Sequence, residues 1–101
     1  MSYEGHLALG AVRARFRRYD DAAAYFAKAV QANPRFSVLY ALQAAALARA
    51  GHIDEAKGIA RRLLELEPTF RVGPFLDFAG FVKPEIREHC AVGFREAGLP
   101  E

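Results

Sequence analysis

The chain has 101 residues, of which 52% are hydrophobic and 26% charged, so it is long enough for one globular domain with a real core. Its 14 Lys and Arg against 12 Asp and Glu give a net charge of +2, too weak a bias to indicate a nucleic acid or an acidic membrane surface as partner. A single cysteine, Cys90, excludes an internal disulfide framework and a multi-cysteine zinc site.

The order of apolar and helix-breaking residues predicts six helices and an all-α fold. Val and Ile are few and never alternate with polar residues, so strand signals are scarce. Asp20 and Asp54 are the predicted N-caps of the second and fourth helices, and Pro84 is tolerated in the first turn of the sixth. The predicted helices span about 3–17, 20–32, 36–50, 54–66, 74–82 and 85–97.

The third predicted helix is apolar nearly all round. Its sequence from residue 36 to residue 50 is FSVLYALQAAALARA, without Gly or Pro. Such a helix must be covered on most of its sides, so we expect it to be central, with other helices packed on it. At about fifteen residues it is too short to span a bilayer.

The chain repeats itself at an interval of 34 residues, and each unit is a helix–turn–helix. The first unit contains Leu9-Gly10, then Ala22 and Phe26 four residues apart, and Pro34 at its end. The matching pairs are Ala11 with Ala45, Ala14 with Ala48, Arg15 with Arg49, Asp20 with Asp54, Ala22 with Ala56, Pro34 with Pro68 and Phe36 with Phe70.

This period and pattern resemble the tetratricopeptide repeat (TPR) family. The resemblance implies a single domain over 1–101, an alpha-alpha superhelix with two good repeats over about 3–36 and 37–70 and a degenerate third over about 71–101. His6 and Arg13 stand where the family has Trp and Tyr. Cys90 stands at the small position of the third repeat, where we expect it to be buried, and Phe26 is expected in the seam between repeats.

The end of the chain carries a second resemblance. Residues 70–101, finishing FREAGLPE, look like the C-terminal tail of bacterial proteins in which a class III nucleotide cyclase or a winged-helix DNA-binding domain precedes TPR repeats. The resemblance implies that the chain is the C-terminal TPR segment of a longer regulatory protein. No residue matches a cyclase catalytic motif or a recognition helix, so neither activity is carried over.

No group of residues indicates an active site, and we predict a protein that is not an enzyme and has no cofactor or metal. His6, His52 and His89 lie in different repeats without a common ligand spacing. The arginines at 13, 15, 17 and 18 are interpreted as a solvated face rather than a phosphate contact, because Asp20 and Asp21 follow at once and partly neutralise them, and because cations are favourable at a helix C-terminus. No signal peptide is visible in residues 1–10, so we expect a cytoplasmic protein.

The TPR resemblance also implies a concave groove, lined by the first helix of each repeat, that binds a partner helix or peptide. In the family register the groove residues are Leu7, Ala11, Arg15, Val38, Ala41, Ala45, Ala48, Arg49 and Phe75, beside Glu4, Ala14, Val72, Ala79 and Lys83. Small apolar side chains dominate this set, and the cluster of Lys, Asn and Arg that grips a partner's terminal carboxylate is absent.

Two alternatives remain open for the groove. Either a partner protein or peptide fills it, or the chain's own C-terminal segment or a second copy of the chain covers it. The first alternative predicts that Ala45→Glu abolishes partner binding and leaves the fold intact, whereas internal burial predicts that it unfolds the domain. A further alternative to partner recognition is a dimerisation or spacer element that regulates an attached cyclase or DNA-binding domain.

Overall fold

A computed structural model describes the backbone of residues 2–82 and 84–101 and the side chains of residues 2–77 and 90–101. Over this part of the chain the regular elements are α1 (Tyr3–Arg15), α2 (Tyr19–Ala32), α3 (Ser37–Arg49), α4 (Ile53–Leu66), α5 (Val72–Val82) and α6 (Pro84–Glu96). The all-α class is confirmed, and the predicted helix ends lie within two residues of these bounds. Among the described residues no helix is long and apolar enough to cross a membrane.

Helices α1, α3 and α6 end in the same turn, a Schellman motif. In each, a backbone N–H two residues past the cap donates to a carbonyl in the last turn: Arg18 to Arg13 at 2.9 Å, His52 to Leu47 at 2.9 Å and Leu99 to Phe94 at 3.1 Å. The residue before each donor has a positive φ, 61° at Arg17, 92° at Gly51 and 80° at Gly98. Glycine adopts this conformation without steric cost, so Arg17 is the strained member of the set.

The prediction that Asp20 and Asp54 are N-caps is wrong. Helices α2 and α4 begin one residue earlier, at Tyr19 and Ile53, and neither cap position has a side-chain cap hydrogen bond. The reason is that each Schellman turn ends directly at the next helix, which moves the aspartate into the first turn. There its negative charge still interacts favourably with the positive end of the helix dipole.

Helix α3 is central, as its composition predicts. It packs on α2, α4 and α6. Most of its side chains are buried, including Leu39 and Ala44, which have no exposed surface. The Tyr40 hydroxyl donates to the carbonyl of Pro34 at 2.9 Å and so ties α3 to the end of the first repeat.

Close packing inside the first repeat depends on Gly10. A Cβ atom added to this residue would lie 2.5 Å from Cε1 of Phe26, which is 3% exposed. The Phe26 ring therefore packs against α1 within its own helix pair. Because Gly10 has no side chain, α1 and α2 can pack closely together with this ring between them.

The third helix pair folds back onto the middle of the molecule. Helix α6 packs on α3, and α5 packs on α6. An aromatic cluster joins the pair, with ring centroids 5.3 Å apart for Phe75 and Phe94 and 6.4 Å apart for Phe70 and Phe94. The last residues close the pair, because the carbonyls of Pro100 and Glu101 accept the backbone N–H groups of residues 72 and 73 at 2.8 and 3.0 Å, satisfying free amides at the start of α5.

Candidate partner-binding surface

The three alanines predicted to floor the groove in the second repeat are buried by the chain itself. Ala41, Ala45 and Ala48 are 0%, 4% and 1% exposed. Helix α6 packs on α3 and lies against Ala45, because a Cβ atom added to Gly93 would be 2.7 Å from the carbonyl oxygen of Ala45 and 2.9 Å from its Cβ. Of the two alternatives, cover by the C-terminal segment is the one that the structure shows at Ala45.

The predicted groove residues of the third repeat belong to the same covered region. Phe75 is half-buried, and its ring centroid lies 5.8 Å from that of Phe70 within the aromatic cluster. Val72 is fully buried, so it lines no open surface. Ala79 and Lys83, also placed in the groove by the family register, lie outside the described side chains.

Val38 and Arg49 flank the buried alanines and are both half-buried. The Arg49 guanidinium donates from Nη2 to the Tyr19 hydroxyl at 3.0 Å, and its Cζ lies 5.2 Å from the centroid of the same ring. Both contacts cross from the second repeat to the first. Arg49 therefore has a structural role between repeats, and only part of its side chain is available to a partner.

Helix α1 is different, because one complete face of it is exposed. Val12 is 48% exposed and Phe16 69% exposed. The exposed positions are spaced three and four residues apart, which places them on one side of a helix. We call this surface the α1 face; it consists of Glu4, Ala8, Ala11, Val12, Arg15 and Phe16.

The groove residues predicted for the first repeat overlap with the α1 face. Ala11 and Arg15 were predicted for the groove and are exposed, whereas Leu7 is half-buried and packs against the core. The apolar members Ala8, Val12 and Phe16 were missed. One feature of the sequence could have indicated them. The apolar and polar residues of α1 are not separated onto opposite sides, so apolar residues occur on every side of this helix.

The residues of α3 that correspond to the apolar members of the α1 face are less exposed. The residues 34 positions after the apolar members are Leu42, Ala46 and Ala50. Ala46 is 4% exposed and the other two are half-buried. The same side of the helix is thus more deeply buried in the second repeat than in the first.

The arginines in the last turn of α1 and directly after it include two with local contacts. Arg18 Nη2 lies 2.9 Å from Asp21 Oδ2, and the Arg13 guanidinium lies 5.9 Å from the Tyr25 ring centroid. An open depression of about 470 Å³ is lined by Arg17, Arg18, Tyr19, Asp20, Asp21, Arg49 and Ala50. Acidic and basic side chains share it, which favours the interpretation of a solvated surface over a phosphate site.

The cysteine and histidines that the sequence raises as chemical candidates lie apart from one another, so far as their side chains are described. Cys90 is 4% exposed, and burial raises the pKa of its thiol to about 11, so the nucleophilic thiolate is scarce near neutral pH. His52 Nε2 lies 2.7 Å from Asp20 Oδ1 in an exposed pair. Within residues 2–77 and 90–101, no three His, Cys, Asp or Glu side chains converge as metal ligands would; His89 lies outside the described side chains.

Two comparisons with known proteins bear on the repeats. A family model described as tetratricopeptide repeat matches residues 14–72, which is more than half of the chain. The match extends from the last turn of α1 through α2, α3 and α4 to the start of α5. No curated protein matches the chain.

Proposed function

Because the chain belongs to the tetratricopeptide repeat family, whose repeats generally mediate protein–protein interaction, we propose that it is a non-catalytic interaction module that binds a helix through the α1 face. We place it, as part of the same proposal, at the C-terminal end of a cytoplasmic bacterial regulatory protein. The observation that carries the binding proposal is the exposure of the α1 face beside a covered equivalent in α3.

The chain itself supplies an example of the binding mode. Helix α6 packs on α3 by bringing Gly93 against Ala45, where small residues let the two backbones approach. Ala11 is the residue 34 positions before Ala45, and it is exposed. A partner helix with a small residue at the contact can therefore bind α1 at Ala11 as α6 binds α3 at Ala45.

The neighbours of Ala11 indicate what such a partner carries. Val12 and Phe16 provide exposed apolar surface on one side of it, which suits the apolar face of an amphipathic helix. Arg15, one turn further along, is exposed and suits an acidic residue of the partner. The apolar contacts supply most of the affinity, and the charge contributes mainly to orientation and rate of association.

The test is a selection of amphipathic helical peptides from a displayed library against the wild-type chain. Ala11→Glu should weaken binding of the selected peptides at least tenfold and leave the fold intact, because the residue is exposed. Ala24→Glu, the same change at an exposed alanine of α2, is the matched control and should bind normally. Ala45→Glu, in contrast, should disrupt folding because it places a charge beneath α6.

The proposal fails if no peptide is selected, or if the selected peptides bind the Ala11→Glu variant as tightly as the wild type. Circular dichroism of each variant separates loss of binding from loss of helix. The genomic context gives an independent check, because an open reading frame that continues upstream into a cyclase or winged-helix domain is expected for the regulatory role.

A further inference from the structure

We infer that the partner of the α1 face is a second copy of this chain, with the two α1 helices side by side and antiparallel. The inference rests on the proposed function, since it names the occupant of the same surface. Its basis is the charge pattern of the face: the acidic Glu4 lies at one end, the basic Arg15 lies at the other, and apolar residues lie between them. A surface with this pattern is complementary to itself when one copy is reversed.

Helix geometry places these charges in register. Glu4 and Arg15 are eleven residues apart, which is roughly 16 Å along a helix at 1.5 Å per residue. A two-fold axis midway between them brings Glu4 of each copy level with Arg15 of the other, so both ends of the interface form an opposite-charge pair. A parallel arrangement would instead set Glu4 beside Glu4 and Arg15 beside Arg15.

The residues between the charges suit close contact of two helices. The axis passes between Ala8 and Ala11, so the centre of the interface is formed by short side chains that let the helices approach. Ala11 of each copy then lies level with Ala8 of the other, and Val12 follows one residue further along. Phe16 extends over the first turn of the other copy, where Gly5 has no side chain to oppose the ring.

The small size of this surface sets the expected strength. A single helix face of this length covers on the order of 400 Å² per copy, below the roughly 800 Å² per partner of a standard interface. We therefore expect a weak dimer, with a Kd on the order of 100 μM. Opposite charges at both ends make its formation sensitive to salt.

Sedimentation of the whole chain over a concentration range of about 10 μM to 1 mM tests the inference. The wild type should shift from monomer to dimer. Glu4→Arg and Arg15→Glu each replace two attractive pairs by two repulsive ones, and each should raise the dimer Kd about tenfold. An equimolar mixture of these two variants restores both attractive pairs, so the mixture should associate at least as well as the wild type.

Ala8→Glu should also abolish the dimer, since it places two carboxylates at the centre, while Ala24→Glu should have no effect. Circular dichroism and melting of each variant check that the fold is kept. Three results would overturn the inference: a wild type that stays monomeric up to 1 mM, charge variants that dimerise like the wild type, or a mixture that fails to associate better than either variant alone.

The same experiments separate this inference from the proposed function. A monomeric wild type that still binds selected peptides, and loses them on Ala11→Glu, sinks the self-association and leaves partner binding intact. A wild type that neither dimerises nor binds peptides sinks both.

Discussion

Adding one methyl group at Gly93 perturbs the contact between α6 and α3 at its closest point. A Cβ atom at this position would lie 2.7 Å from the carbonyl oxygen of Ala45, 2.8 Å from its Cα and 2.9 Å from its Cβ. Two of these atoms belong to the backbone of α3, so no side-chain rotation can make room. Gly93→Ala therefore requires α6 to move away from α3.

Two opposing effects determine the size of the change. Alanine is favoured over glycine inside a helix by roughly 1 kcal/mol. Overpacking a tightly packed contact costs about 1–3 kcal/mol, and backbone contact places this site near the upper end. We expect a net loss of about 1–2 kcal/mol in the free energy of unfolding, which lowers Tm by roughly 4–16 °C in a domain of this size.

Gly58→Ala in α4 is the matched control. The nearest atom to an added Cβ there is Arg61 Nη2 at 3.8 Å, so only the helix preference acts. This variant should be stabilised by about 0.5–1 kcal/mol. Urea and thermal denaturation followed by circular dichroism measure both changes. If Gly93→Ala raises stability as Gly58→Ala does, then α6 does not pack on α3 at Ala45, and the account of the covered alanines is refuted.

Two further predictions concern the turns and the buried thiol. Arg17→Gly should raise the free energy of unfolding by about 0.5–1 kcal/mol, because Arg17 has a φ of 61° at the position where the second repeat has glycine. A loss of stability in urea denaturation would contradict this prediction. Cys90 should react slowly with a disulfide reagent at pH 8, because its thiol is buried and has a pKa of about 11. The reaction should be faster in the Gly93→Ala variant. Equal rates for the folded and the urea-unfolded chain would contradict the burial of Cys90.

The helices and their order follow from the sequence because local signals agree with one another. The 34-residue period, the Pro residues at unit ends and the apolar character of residues 36–50 all indicate the same helix pairs. The N-cap of α2 was misplaced because Arg17 has a positive φ, as Gly51 does in the second repeat. An arginine gives no warning of a positive φ, so the early start of α2 after a Schellman turn could not be recognised.

The covered groove could not be predicted from the family register, because that register places the third helix pair as one more stacked repeat. The register does contain one relevant signal. Gly93 occupies the position held by Tyr25 and Ile59 in the first two repeats. A glycine inside a helix is unfavourable unless a close approach requires it, and here that approach is to the backbone at Ala45.

Charges on α4 explain why the third pair departs from regular stacking, and they also bear on self-association. Ala23 of α2 is buried in the core, but the residue 34 positions later is the exposed Lys57; likewise the half-buried Ala27 corresponds to the exposed Arg61. A helix stacked on α4 would have to bury these cations without partners, which is costly. Packing of the α1 face of a second copy on α4 would bury the same two cations. Head-to-tail packing of the α1 face on α4 is therefore disfavoured, and this favours closed pairing of α1 with α1.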